Sequence, residues 1–142
     1  MWLAALHEKA GCFMDTRKAQ SMLRLAHADF RAMSAMLDPQ NFDEAIFGFH
    51  AQQAVEKALK AWLHMRGLEV LRTHDLTALL KGLRDAGSDV DQFLQLAELT
   101  IFAVQARYEE GIVTPADPLD RLALIADVGV LLSTVTQQIT EV

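Results

Sequence analysis

"FHAQQAVEKALKAW", residues 49–62, carries the pattern from which the fold is read. At about 100° per residue, Phe47, Ala51, Ala54, Val55, Ala58, Leu59, Ala61, Trp62 and Met65 share one broad side of a helix. The alanines at 51, 54, 58 and 61 let a neighbouring helix come close. The opposite side collects His50, Gln53, Glu56, Lys57, Lys60 and His64, with Ile46 and Phe49 set among them. Two readings stay open. In one, the polar side is a solvated face on which Gln52/Glu56 and Glu56/Lys60 are i,i+4 neighbours, worth about 0.2–0.5 kcal/mol each. In the other, His50, Gln53 and Lys57 follow one another along a polar pocket that another helix or subunit covers.

Working outward, Asp15 to Leu37 repeats apolar residues at helical spacing: Met22, Leu25, Ala26, Phe30, Met33, Met36 and Leu37. Pro39 breaks that pattern by pushing Asp38 out of helical geometry. Asn41 is then expected to cap the second helix, with Glu44 completing a capping box. Gly67 is expected to end this helix in a left-handed turn. Thr73 caps a third, "HDLTALLKGLRDA" (residues 74–86), which Gly87 stops. Ser88, with Asp91 three residues on, starts a fourth, and Asp117–Pro118 signals a fifth. Helices are thus expected near 15–37, 42–66, 74–86, 89–107 and 117–139. No strand alternation persists. The expected fold is all-α, an antiparallel up-and-down bundle of about five helices. Residues 1–14 form a lead-in or short extra helix before a domain over 15–142.

At 142 residues the chain is long enough for one domain with one core. Its net charge of −6 argues against a broad electrostatic grip on nucleic acid, though not against a local basic pocket. The single cysteine, Cys12, cannot form an intrachain disulfide, which points to a reducing compartment and a cytoplasmic location. "MWLAALHEKAGCFM", residues 1–14, lacks the basic start of a signal peptide. "LALIADVGVLLS", residues 122–133, contains Asp127 and falls short of a membrane span, so no membrane partner is expected. The histidines are scattered, with no zinc or di-iron spacing, and neither metal nor cofactor is expected.

Three blocks occur in order: "FHAQQAVEKALKAWL" (49–63), "GLEVLRTHDLTALL" (67–80) and "LTIFAVQARYEE" (99–110). Together they resemble the HEPN family, the higher eukaryotes and prokaryotes nucleotide-binding domain, over roughly Asp15 to Ile139. The resemblance implies a helical bundle of about five helices and a homodimer. It also implies a minimal nucleotidyltransferase partner in a toxin–antitoxin-like pair. Some members are metal-independent ribonucleases in which an arginine is followed by a histidine with four to six residues between them. No histidine here, at 7, 27, 50, 64 or 74, has an arginine at that spacing, and none follows Arg107. No catalytic residue is therefore assigned.

The matched blocks make His50, Gln53, Lys57, His74, Arg107 and Tyr108 the expected nucleotide-binding residues. A phosphate needs converging donors: arginine for two parallel bonds, lysine as a point charge, histidine when protonated. Thr73 and the first amides of the third helix would add an anion-binding helix start. Tyr108 would stack on a base. The expected function is nucleotide binding or partner recognition. The alternatives are an RNA-cleaving toxin using His50 or His74 with Arg107, and a structural dimer without ligand.

Overall fold

The structure, a computed structural model, describes residues 2–103 and 117–140, with side chains from Thr16 onward. Among the described residues it is all-α: α1 (Trp2–Ala35), α2 (Glu44–Met65), α3 (Leu76–Asp85), a 3-10 segment (Asp91–Phe102) and α4 (Arg121–Thr140). These five helical elements form a bundle around α2, which packs against each of the other four. The alanine-rich side of α2 explains its central place. Ala51, Ala54, Val55, Ala58, Leu59 and Ala61 are completely buried, and the Trp62 ring meets Phe93 edge-on at 6.3 Å.

Several boundaries differ from expectation. The first helix begins at Trp2, ahead of Asp15, through residues that contain no proline. Asn41 does not cap α2. The Asp38 carboxylate accepts from Gln40 N–H and from the Asn41 amide, making a closed turn of residues 38–42. Asp43 occupies the cap position without a side-chain bond, and Glu44 reaches across to accept the Leu119 N–H at 2.6 Å. The third helix is capped by Asp75, which accepts from Thr77 N–H, rather than by Thr73. α4 starts at Arg121, and Asp120 accepts the Ala123 N–H, so Asp117–Pro118 lies ahead of the helix.

The fourth helix differs in kind. In place of an α-helix over 89–107, the described part is a 3-10 run from Asp91 to Phe102, preceded by Val90 rather than capped by Ser88. The glycine stops are where they were expected. Gly67 and Gly87 have φ of 65° and 95°. Leu68 N–H reaches Leu63 O and Ser88 N–H reaches Leu83 O, the six-residue closure that a left-handed residue permits after a helix.

Arg121 ties the first and last elements together. It is buried, donates to Met36 O and Phe42 O at 2.8 Å each, and lies 4.9 Å from the Phe47 ring centre. Carbonyls left unpaired after the end of α1 are natural acceptors for such a cation. By length and composition α4 would pass for a membrane span, yet its Val128, Leu131, Leu132 and Val135 are buried in the bundle core.

Candidate functional site

Because α2 is enclosed by its neighbours, its polar side is not a solvated face. None of His50, Gln52, Gln53, Glu56, Lys57, Lys60 and His64 is exposed, and Gln52 and Glu56 are buried. Burying such groups costs several kcal/mol or more unless each finds partners. His64 apart, they do so in two clusters.

The first cluster joins α2 to α1. Asp29, with a side chain 14% exposed, binds His50 Nδ1 through Oδ1 at 3.0 Å and accepts from Lys57 Nζ through Oδ2 at 2.6 Å. His50 and Lys57 are two helical turns apart, so both reach the same carboxylate from one side of α2. The second cluster joins α2 to the segment before α3. Glu56, 6% exposed, binds His74 Nδ1 through Oε1 at 2.8 Å and accepts from Lys60 Nζ through Oε2 at 3.1 Å. Gln52 donates to Glu56 Oε1 at 3.0 Å and to His74 O at 3.2 Å, and accepts from Gln53 at 2.7 Å.

The two clusters share one chemistry: a carboxylate with an imidazole Nδ1 on one oxygen and a lysine ammonium on the other. An ionised carboxylate only accepts, so each imidazole is assigned its proton on Nδ1. Nε2 of each ring is then the nitrogen left for a ligand, and it has no partner among the described residues. Burial pushes the Glu56 carboxyl up, but hydrogen bonds from Gln52, His74 and Lys60, with the Lys60 charge, outweigh it and hold Glu56 below its ordinary value. Glu56 is therefore a fixed anion at neutral pH. Lys57 and Lys60 each commit one N–H to these carboxylates and retain two for a ligand.

The structure thus brings His50 and Lys57 together on Asp29, and Gln53 and His74 together through Gln52. It does not join all four in one hydrogen-bonded set. Arg107 and Tyr108 lie outside the described residues. The expected anion site at the start of α3 is not available: Leu76 N–H is taken by Thr100 Oγ1 and Thr77 N–H by Asp75. A cavity of about 610 Å³ lies between the 3-10 segment and α4, away from these clusters, and Glu98, Asp117, Asp120 and Asp127 help to line it. That much negative charge disfavours a phosphate there. No set of three or more metal-ligating side chains occurs among the described residues.

Asp29, Glu56 and Lys60 complete the site beyond the residues expected from sequence. Glu56 and Lys60 were visible on the polar side of α2 and as i,i+4 neighbours, and Lys60 stands in the matched block of residues 49–63. Asp29 had a faint signature, since it sits at stripe spacing between Ala26 and Met33, both completely buried. An acid at that spacing requires a cationic partner from another element.

A family model described as HEPN domain matches residues 19–138. Compared with curated proteins and with solved structures, the chain has no match.

Proposed function

The chain belongs to the HEPN domain family, and on that premise we propose that it binds a nucleotide along the polar strip of α2. In this reading it acts in the cytoplasm as a homodimer, beside a minimal nucleotidyltransferase in a toxin–antitoxin-like pair. His50, Gln53, Lys57 and His74 contact the ligand, with Arg107 and Tyr108 supplying a further cation and a stacking ring. The observation that carries the reading is the pair of carboxylate-held histidine and lysine groups on α2. Packing alone does not call for two imidazoles with a nitrogen to spare and two half-used ammonium groups.

Calorimetry with ATP tests it. Saturable binding is expected, weakened about tenfold in Lys57→Ala, which leaves the Asp29 charge facing the phosphate. The loss should be larger at low salt, where the attraction of a charge for phosphate is least screened. Equal affinity in wild type and Lys57→Ala would remove Lys57 from the site, and no binding at millimolar ATP would remove the function. RNA incubated with the protein is expected to stay intact. Metal-independent cleavage lost in His74→Ala would select the RNA-cleaving reading instead. The partner is tested by co-purification with a nucleotidyltransferase encoded beside this chain.

A further inference from the structure

The outer face of α1 holds cations that no carboxylate answers. Arg17, Lys18, Arg24 and Arg31 are all exposed. Asp29 is the one acid among the described side chains of α1, and it is spent on His50 and Lys57. None of the four cations pairs with a carboxylate among the described residues. Arg24 donates to Ser21 Oγ at 3.0 Å, one turn back in the same helix. The spacing of these cations is regular. Arg17, Arg24 and Arg31 stand seven residues apart, so they form one row along α1 with about 10.5 Å between successive members. Ser21, Ala28 and Ala35, also exposed, repeat at the same interval beside that row. Lys18 and Leu25, the latter 51% exposed, border this strip on its other side. Arg24 and Asp29 are five positions apart, about 140° round the helix, so the row faces away from the α2 clusters.

We propose that this face of α1 docks an acidic α-helix of a partner protein, one that carries carboxylates at seven-residue intervals. A helix laid along α1 repeats at the same rise, so each of its carboxylates meets an arginine. Charged rows of this kind select partner and register where helices pair. The small side chains between the arginines let the incoming backbone come near, and Leu25 adds an apolar contact. Twofold pairing with α1 of a second copy does not suit this face, because it would set arginine against arginine. A nucleic acid suits it less well than a helix does. The net charge of −6 repels an extended polyanion along its whole length. The row also offers no ring on which a base would stack, since Phe30 lies against Gly129 of α4. The nucleotide site is not involved, and the two proposals stand or fall separately.

The experiment is fluorescence anisotropy on the full chain with a labelled helical peptide that carries glutamate at every seventh residue on an alanine and glutamine background. A control peptide of the same composition has its glutamates five residues apart, which spreads them round the helix. The first peptide should bind at least about tenfold more tightly than the control, and its affinity should fall as salt is raised. Arg24→Glu should remove this binding, and a peptide whose central glutamate is replaced by lysine should restore it. Arg31→Gln, a milder change, should weaken binding of the original peptide as well. Circular dichroism of both variants should match wild type, as expected for exposed charges. Equal affinity for the two peptides, or no binding at millimolar peptide, would overturn the proposal. A single-stranded oligouridine that binds more tightly than the peptide, and is lost in Arg24→Glu, would give the face to RNA. A change of oligomer mass in Arg24→Glu, read by light scattering, would give it to a second copy. Either result would also overturn the proposal.

Discussion

At the residue scale, two positions in α2 show how tightly it is set. Gly48 faces the end of the 3-10 segment: a Cβ there would lie 2.5 Å from the Phe102 ring. An aromatic ring buried at that distance cannot simply swing aside, so Gly48→Ala is expected to cost about 1–3 kcal/mol through overpacking. A urea titration will read this as a lower midpoint with an unchanged slope. Glu56 has the opposite character, a buried anion whose worth depends on pH. Its carboxyl is held below its unfolded-state value, so its stabilisation is complete above the ordinary glutamate range and is lost as pH falls through the lowered native value. Glu56→Gln should destabilise at neutral pH by roughly 1.5–3 kcal/mol, the worth of a charged hydrogen bond. It should also flatten the acid limb of the stability profile. If wild type and Glu56→Gln lose stability in parallel between neutral and acid pH, Glu56 is not the group responsible.

At the element scale, the 3-10 segment is the instructive case. Val90, Phe93, Leu96, Leu99 and Phe102 recur every third residue, and all five are buried. In an α-helix each step of three would turn the stripe by about 60°, carrying part of it out of the core. Three residues per turn keep the row aligned. Leu96→Ala should therefore cost about 2–5 kcal/mol, as for other large core truncations. Leu94→Ala, off the row and 39% exposed, should stay within about half a kcal/mol. Equal costs would contradict the register. This period was legible in the sequence but was overridden by the expectation of an α-helix from capping signals. The apolar side of α2 and the stops at Gly67 and Gly87 were legible because they depend on local spacing and backbone sterics. The candidate site was legible only in half. His50, Gln53, Lys57 and His74 stand in matched blocks, but Asp29 lies 21 and 28 residues from its two partners. Only the packing of α1 on α2 creates those pairings. The caps were misplaced for a related reason: Asn41, Glu44 and Ser88 each found a partner outside the helix they flank.

At the scale of the whole molecule, the outer face of α4 and the start of α2 leave apolar surface uncovered. Leu122 is 70%, Val130 49% and Ile46 36% exposed. The homodimer proposed above should bury part of it. Light scattering at tens of micromolar, a working concentration suited to an interface of about micromolar affinity, should give twice the chain mass. A monomer mass there would leave this surface to another occupant. The central claim concerns the α2 strip, and its most direct test is nuclear magnetic resonance on isotopically labelled protein titrated with ATP. The imidazole signals of His50 and His74 and the side-chain amide of Gln53 should shift together and saturate, while residues around the cavity between the 3-10 segment and α4 stay unchanged. Shifts confined to that acidic cavity, with both imidazoles unmoved at saturating ATP, would contradict the account.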